Sequence, residues 1–324
     1  MAEWLIEEGI GEHRAILLDG ARILAAQIHW PGSLATGEVA DARLVSRSAG
    51  STRGTARFSG GEEALVDKLP RSASEGATIR LEVTRPAMSE TGRSKLARAR
   101  PSDAAQRPAP GLAEALHREG SSSRVIHRFP SCDWDELWME GWTGSVDFPG
   151  GSLNFVPAAA MTVIDVDGDL APPALALAAV RPLALTLARF DLAGNIGVDF
   201  PTLETKAERK AVDEALAAAL AEWPHERTAM NGFGFVQIVA RLHRPSLLHL
   251  LHHHREKAAA MRLLRLAERV EAPGKLLLTA SPSLRAAVVP DWEAELARRT
   301  GRVIAWRIEP GLAPEAAFAQ AIAS

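Results

Sequence analysis

The sequence predicts a mixed α/β (α+β) protein. A layered body is interrupted near its amino terminus by a small β-barrel and closed by a small carboxyl-terminal α/β unit. Three observations predict this. Between residues 161 and 242 the apolar runs "TVIDVD", "IGVDF" and "GFGFVQIVARL" alternate with two helical segments, the order of a layered α/β sheet. Residues 36–100 instead break into short β-like pieces, "EVADARLV", "GTARF", "EALVDKL" and "ATIRLEVTR", set apart by glycine- and serine-rich turns. Near the end, "KLLLTA", "DWEAELARR" and "RVIAWRI" repeat strand, helix and strand.

The elements are justified in chain order. Residues 4–30 read as strands, with Asp19-Gly20 as a two-residue hairpin turn between apolar runs. The proline-rich "RPSDAAQRPAPG" at 100–111 is a linker, and a short helix follows at 111–119. Trp134, Trp138 and Trp142 recur every four residues on one helix face, a spacing that serves packing before base stacking. "GSVDFPGGSLNFVP" is a hairpin turning at Pro149-Gly150-Gly151. A helix runs from about 173 to 190, and Pro182 inside it predicts a kink or a division. Thr205 and Glu208 form a capping box ahead of an amphipathic helix. One further helix is expected over roughly 246–270.

At 324 residues, 47% hydrophobic and 24% charged, the chain has the composition of a soluble globular protein. A net charge of −3 excludes a surface that is basic throughout, so any nucleic-acid site must be a local patch. The single cysteine, Cys132, excludes an internal disulfide framework and a multi-cysteine zinc site. The first residues carry Glu3, Glu7 and Glu8 and no signal-peptide stretch, and residues 170–180 are too short to span a bilayer. A cytoplasmic protein without membrane partners is therefore expected.

Two strands end on aspartate. Asp165 closes "TVID" and Asp199 closes "IGVD", 34 residues apart, which is the length of one crossover if the strands are neighbours. Ligands in such sheets gather at the carboxyl ends of strands. Two close carboxylates repel, and a hard cation with oxygen ligands, magnesium or manganese, resolves the conflict. Asp167 lies two residues past Asp165 and shares its face, where it adds an oxygen or orients a water. The bland alternative is that such aspartates cap turns. His249, His252 and His253 have i, i+3, i+4 spacing, but no carboxylate or cysteine with zinc spacing accompanies them, so a solvated face is the expectation. Between residues 71 and 107 eight Lys/Arg stand against four Asp/Glu. That surplus suits a solvated strand edge or a phosphate-tracking surface.

These pieces in this order resemble the ribonuclease E/G family over nearly the whole chain. "EWLIEEGIGEHRAILLDGARILAAQIHWPG" resembles its first strands, and "RLEVTRPAMSETGRSKLARAR" the basic exit of its inserted oligonucleotide-binding barrel. "PGGSLNFVPAAAMTVIDVDG" and "LARFDLAGNIGVDFPTLETKAERKAVDEAL" are similar to the stretches carrying its two metal-binding aspartates, and "GFGFVQIVARLHRPSL" to the strand that follows. The resemblance implies an amino-terminal β segment at 1–35, an oligonucleotide-binding barrel at 36–107, a deoxyribonuclease-I-like catalytic region at 108–257 and the small unit at 258–324. It implies a magnesium-dependent endoribonuclease, with manganese as substitute, that hydrolyses single-stranded RNA to 5′-phosphate and 3′-hydroxyl ends.

Residue by residue, the metal ligands fall on Asp165 and Asp199. Asp167 stands where an asparagine is common, Gly232 replaces an arginine before Phe233-Gly234, and Gln237 replaces a glutamate. Arg93, Lys95, Arg98 and Arg100 are the RNA-binding candidates. Only about 65 residues separate the barrel from Asp165, too few for the family's full 5′-sensing subdomain. The paired-cysteine zinc link is missing, so no zinc-linked tetramer is expected. Two other readings stay open: a non-catalytic RNA-binding protein on the same frame, and a barrel that binds a protein partner.

Overall fold

A computed structural model describes residues 2–48, 50–90 and 92–323. The chain opens as an antiparallel meander of β1 (Glu3–Glu8), β2 (His13–Asp19) and β3 (Arg22–His29). Asp19 pairs with Arg22, so the tight turn is Gly20-Ala21, one residue later than the sequence suggests. A bulge between Leu17 and Leu18 absorbs that shift, and Gly20 takes the left-handed φ of 63° the turn requires.

The turn-punctuated stretch forms β4 (Val39–Arg47), β5 (Gly54–Phe58), β6 (Glu63–Val66) and β7 (Thr78–Arg85). A small hairpin, β8 (Met88–Glu90) and β9 (Arg93–Lys95), precedes β10 (Ala97–Pro101). The strands close as a five-stranded barrel in the order β10-β6-β5-β4-β7, with β10 parallel to β6 at the seam. Alternate positions supply a core of its own: Leu44, Phe58, Val66, Leu81 and Val83, with Ala42, Ala56, Ala64, Ala97 and Ala99. Small side chains at half the inward positions fit the narrow interior of so few strands. Val39 and Arg107 exchange backbone hydrogen bonds of 3.0 and 2.9 Å, joining the segments that enter and leave the barrel.

Beyond the linker, α1 (Leu112–Arg118) lays Leu112 and Leu116 on Ile6 and Ala15 of the meander. β11 (Ser123–Ile126) then adds parallel to β1. In α2 (Trp134–Thr143) all three tryptophans are buried, Trp138 stacked on Trp142 at 4.9 Å, as core spacing predicts. There follow β12 (Ser145–Phe148), β13 (Gly151–Pro157), β14 (Thr162–Gly168), α3 (Pro172–Arg189), β15 (Gly194–Asp199), α4 (Lys206–Ala219), β16 (His225–Arg227) and β17 (Phe235–Ala240). The six strands form one mixed sheet, β12-β13-β14-β15-β17-β16.

Phe148 pairs with Gly151, which narrows the β12–β13 turn to Pro149-Gly150. Pro182 does not divide α3: its buried stripe of Ala176, Ala179, Val180, Leu183 and Leu187 runs past the proline, and packing on both sides outweighs one lost hydrogen bond. The capping box of Thr205 and Glu208 is present at the start of α4.

The expected single helix over 246–270 is instead α5 (Leu247–His253) and α6 (Arg255–Glu268), broken where His254 takes φ −134° and ψ 48°. The break sets the His254 ring against Trp30, centroids 5.7 Å apart, and stacks the Arg255 guanidinium 3.7 Å over Trp142. The chain ends with β18 (Lys275–Ala280), α7 (Pro282–Ala287), α8 (Pro290–Thr300), β19 (Ile304–Ile308) and β20 (Phe318–Ile322), the strands ordered β19-β18-β20. One apolar core runs from Ile16 and Ile23 through α2, α3 and the large sheet to Leu263, Leu276 and Leu278. Among the described residues no helix is long and apolar enough to cross a membrane.

A buried ionic cluster pins the meander to α6. Arg265 pairs with Glu7 and, at 3.1 Å, with Glu12, while Arg14 lies 3.0 Å from Glu7. The Phe129 N–H donates to Glu7 at 2.9 Å, and Trp30 Nε1 to Glu12 at 3.2 Å. The Arg14 guanidinium lies 4.2 Å from the centroid of the Trp134 ring, and burial depresses its pKa to about 9. Burial also opposes the Glu7 charge, but Arg14, Arg265 and the Phe129 N–H outweigh it and hold that carboxyl below its ordinary range.

Removing one partner strands the others without solvent. Arg265→Met is expected to lower unfolding free energy in urea by about 3–5 kcal/mol. Because Glu7 titrates low in the fold, its contribution is complete at neutral pH and lost as acidification passes its unfolded value and then its folded one. The wild type should therefore lose stability on acidification, and the Arg265→Met profile should be flatter; parallel profiles would contradict this account.

Candidate active site

β14 and β15 are neighbours, run parallel and pair in register from Thr162↔Ile196 to Asp165↔Asp199. Paired residues on adjacent strands face the same side, so the two aspartates stand side by side. Behind them Ile164, Val166, Ile196 and Val198 are buried in the main core. The face carrying the aspartates is exposed. Its leading row reads Asn154, Asp165, Asp199 and Phe235 across β13, β14, β15 and β17. Burial raises the Asp165 pKa above its ordinary value, and the charges of Asp199 and Asp167 raise it further. Asp167 lies one pleat on, opposite Ser152, and its Oδ1 accepts the Gly168 N–H at 2.9 Å.

Next to the pair the sheet is floored by an aromatic ring. A Cβ at Gly197 would stand 2.4 Å from Phe235 Cζ and 2.9 Å from Met161 Sδ, so the Phe235 side chain lies across that glycine. One pleat back, Gln237 Nε2 donates to Asn195 Oδ1 at 2.9 Å, and Asn195 donates to the Ala160 carbonyl at 3.2 Å. Phe233 is 82% exposed on the turn before β17. Asn231 Oδ1 fixes that turn by accepting from the backbone of Phe233 and Phe235, and Gly234 sits at φ 90° with its α-carbon against the Phe200 carbonyl. Asn154 and Asn195 were not singled out from the sequence. A polar residue alternating with buried ones in a strand beside the aspartate strands is the signal that finds them.

The basic candidates separate. Lys95 is paired with Glu90, and Arg100 forks onto Glu82 at 3.0 and 2.8 Å, so neither is a free cation. Arg98 has no carboxylate partner among the described residues and pairs across the strands with Arg85. The side chain of Arg93 lies outside the described residues. Arg85, Lys95, Arg98 and Arg241 line a groove of about 650 Å³ between the barrel and the end of β17. Six residues separate Phe235, beside the aspartates, from Arg241, so the groove lies about 20 Å along the strands from the pair.

The histidines are not one solvated face. His252 is exposed, but His249 turns inward with Nδ1 2.7 Å from Ser246 Oγ, and burial, with His253 beside it, pushes its pKa down to about 4.

The chain matches no family model and no curated protein. Geometry alone therefore carries the chemistry. Two facing carboxylates, one already resisting ionisation, are a donor set for a hard divalent cation with few protein ligands. Among the described residues no group of three or more His, Cys, Asp or Glu could hold a metal ion, so a cation on this pair would need water or substrate oxygens to complete its shell.

If the pair is a repulsive site built for a cation, removing one charge relieves the apo fold. Because the Asp165 pKa is raised by folding, its charge costs stability as pH rises. Asp165→Asn should raise the melting temperature in EDTA at neutral pH by about 1–2 °C. Magnesium should raise that of the wild type and leave the variant unmoved. A variant less stable than wild type in EDTA would contradict the repulsion.

Proposed function

We propose that the protein is a magnesium-dependent endoribonuclease acting on single-stranded RNA, a compact relative of the ribonuclease E/G family with an oligonucleotide-binding barrel and a deoxyribonuclease-I-like catalytic region. The observation that carries this reading is the in-register pairing of Asp165 with Asp199 on an exposed sheet face. Asp165 and Asp199 would hold the ion. When bound, magnesium polarises a phosphodiester and lowers the pKa of a water.

The residues of the chain account for the rest. The exposed face receives an unpaired strand, and the Arg98 and Arg241 groove at its far end engages backbone phosphates electrostatically. Asp167 keeps one carboxylate oxygen free of the Gly168 N–H to accept a hydrogen bond from the attacking water. That water adds to phosphorus, the bond to the 3′ oxygen breaks, and the proton ends on the 3′ hydroxyl, leaving a 5′-phosphate on the other fragment. Asn154 and the Asn195–Gln237 pair offer amide donors on the same face.

A non-catalytic RNA-binding protein on the same frame is the second reading. It is favoured by the absence, among the described residues, of a group of three or more His, Cys, Asp or Glu that could hold a metal ion.

Incubation with 5′-labelled single-stranded RNA decides between them. Cleavage is expected with magnesium and not with EDTA, and Asp165→Asn or Asp199→Asn should slow it by at least about 10²-fold. Salt-sensitive binding without any magnesium-dependent cleavage would establish the second reading. On either reading Arg98→Gln should weaken RNA binding across sequences and reduce the slope of log affinity against log salt by about 1. A slope unchanged by Arg98→Gln removes the groove from the binding surface.

A further inference from the structure

A second cavity, of about 640 Å³, lies where the barrel meets the body, walled by β3, β7, the β8–β9 hairpin, α1, α5 and the start of α6. Its two sides differ in character. Ile28, Leu34, Met88, Leu112 and Leu250 make an apolar wall. Against it stand Arg241, His243, Arg244, His254 and Lys257.

These basic groups differ in their partners. Arg241 and Lys257 have no carboxylate partner among the described residues, whereas Arg244 is held by Asp191 at 2.9 Å and Glu119 at 3.3 Å. Lys257 sits with its ammonium 4.9 Å from the centroid of the Trp30 ring. That ring is itself fixed by its hydrogen bond to Glu12 and by the edge of His254. Glu82 and Glu119 are the acids on the lining, and Arg100 and Arg244 already engage them. Burial disfavours charge on His243, His254 and Lys257; nearby arginines add to this at His243, and Lys257 adds to it at His254. Arg241 and Lys257 are left on this concave lining as cations without a carboxylate partner, a charge that an anion stabilises.

The geometry points to a binding site for a nucleoside phosphate, its phosphate on Lys257 and Arg241 and its flat base against the apolar wall. The volume falls in the range of small-ligand pockets, and an apolar lining with a few convergent polar groups is their usual character. A bare phosphate would leave the apolar wall wet, and an uncharged nucleoside would leave the cations unpaired. The ligand reaches the cavity either as a free nucleotide or as one unit of an RNA strand continuing from the Arg98 groove, which shares Thr84, Ser94 and Arg241 with it. Because the cavity is walled by both the barrel and the body, the ligand clamps one to the other.

The test is calorimetric titration of the full chain carrying Asp165→Asn and Asp199→Asn, in EDTA. Under these conditions binding is read without metal or catalysis, and failure of the nuclease reading leaves the result intact. Adenosine 5′-monophosphate is expected to bind once per chain, with ribose 5-phosphate, inorganic phosphate and adenosine each at least 10-fold weaker. Lys257→Gln and the more exposed Arg241→Gln should each weaken the monophosphate by at least 10-fold, with melting temperature reporting that Arg241→Gln remains folded. A short oligoribonucleotide that displaces the monophosphate more tightly than it binds itself assigns the site to an RNA strand; a weaker one assigns it to the free nucleotide. No heat with the monophosphate, or equal binding by adenosine, overturns the proposal, as does unchanged affinity in a folded Arg241→Gln.

Discussion

The register between β14 and β15 is the constraint on which the functional surface depends. Side chains in a strand alternate between faces, so a one-residue slip of either strand would turn its aspartate into the core and expose Ile164 or Val198. What prevents the slip is not the aspartates, which repel, but the apolar residues that alternate with them along the strands. Ile164, Val166, Ile196 and Val198 are buried against α3 and its neighbours, each contributing about 1.5–3 kcal/mol by burial. The unfavourable pair on one face is thus maintained by favourable packing on the other. A charged site placed this way costs little in fold specificity, because no part of the fold relies on those charges being together.

A second constraint acts at the other end of the molecule. The cluster of Glu7, Glu12, Arg14 and Arg265 joins the amino-terminal meander to α6. The break at His254 lets α5 pack on α2 while α6 turns to α7, α8 and β20. Two cation–aromatic contacts, Arg255 on Trp142 and Lys257 on Trp30, hold the first turn of α6 after that break. The cavity wall between barrel and body is built from the residues around this hinge point. Its shape follows from the same buried charges that fix the meander.

Much of this was legible in the residues. The barrel strands, the tryptophan helix, the capping box at Thr205 and the two aspartate-bearing strands all announce themselves by period or punctuation. β11 did not, because "SRVI" is short and takes its stability from β1 rather than from its own pattern. β20 was likewise missed: "FAQAI" is alanine-rich and becomes a strand by pairing with β18. Pro182 does not divide α3, because a local rule about helix interiors yields to a long buried stripe. The break at His254 leaves no local trace, since tertiary aromatic contacts impose it. At the candidate site the sequence supplied the aspartates but not their neighbours, Asn154 and Asn195, whose role depends on which strands lie side by side. Counting charges within residues 71–107 overstated the barrel's basic surface, because Asp41, outside that stretch, answers Arg80 at close range.

The backbone exchange between Val39 and Arg107 bears on how the chain finds its fold. Pairing β1 with β11 joins residues as distant as Trp4 and Ser123, a long closure for an unstructured chain. Once the barrel has formed, everything from Val39 to Arg107 counts as a single rigid link whose two ends already touch. The remaining slack is residues 9–38, most of them in the meander, and 108–122, and the conformational search for the parallel partner shrinks accordingly. The inserted module thereby acts as a clasp that lowers the effective contact order of the body around it.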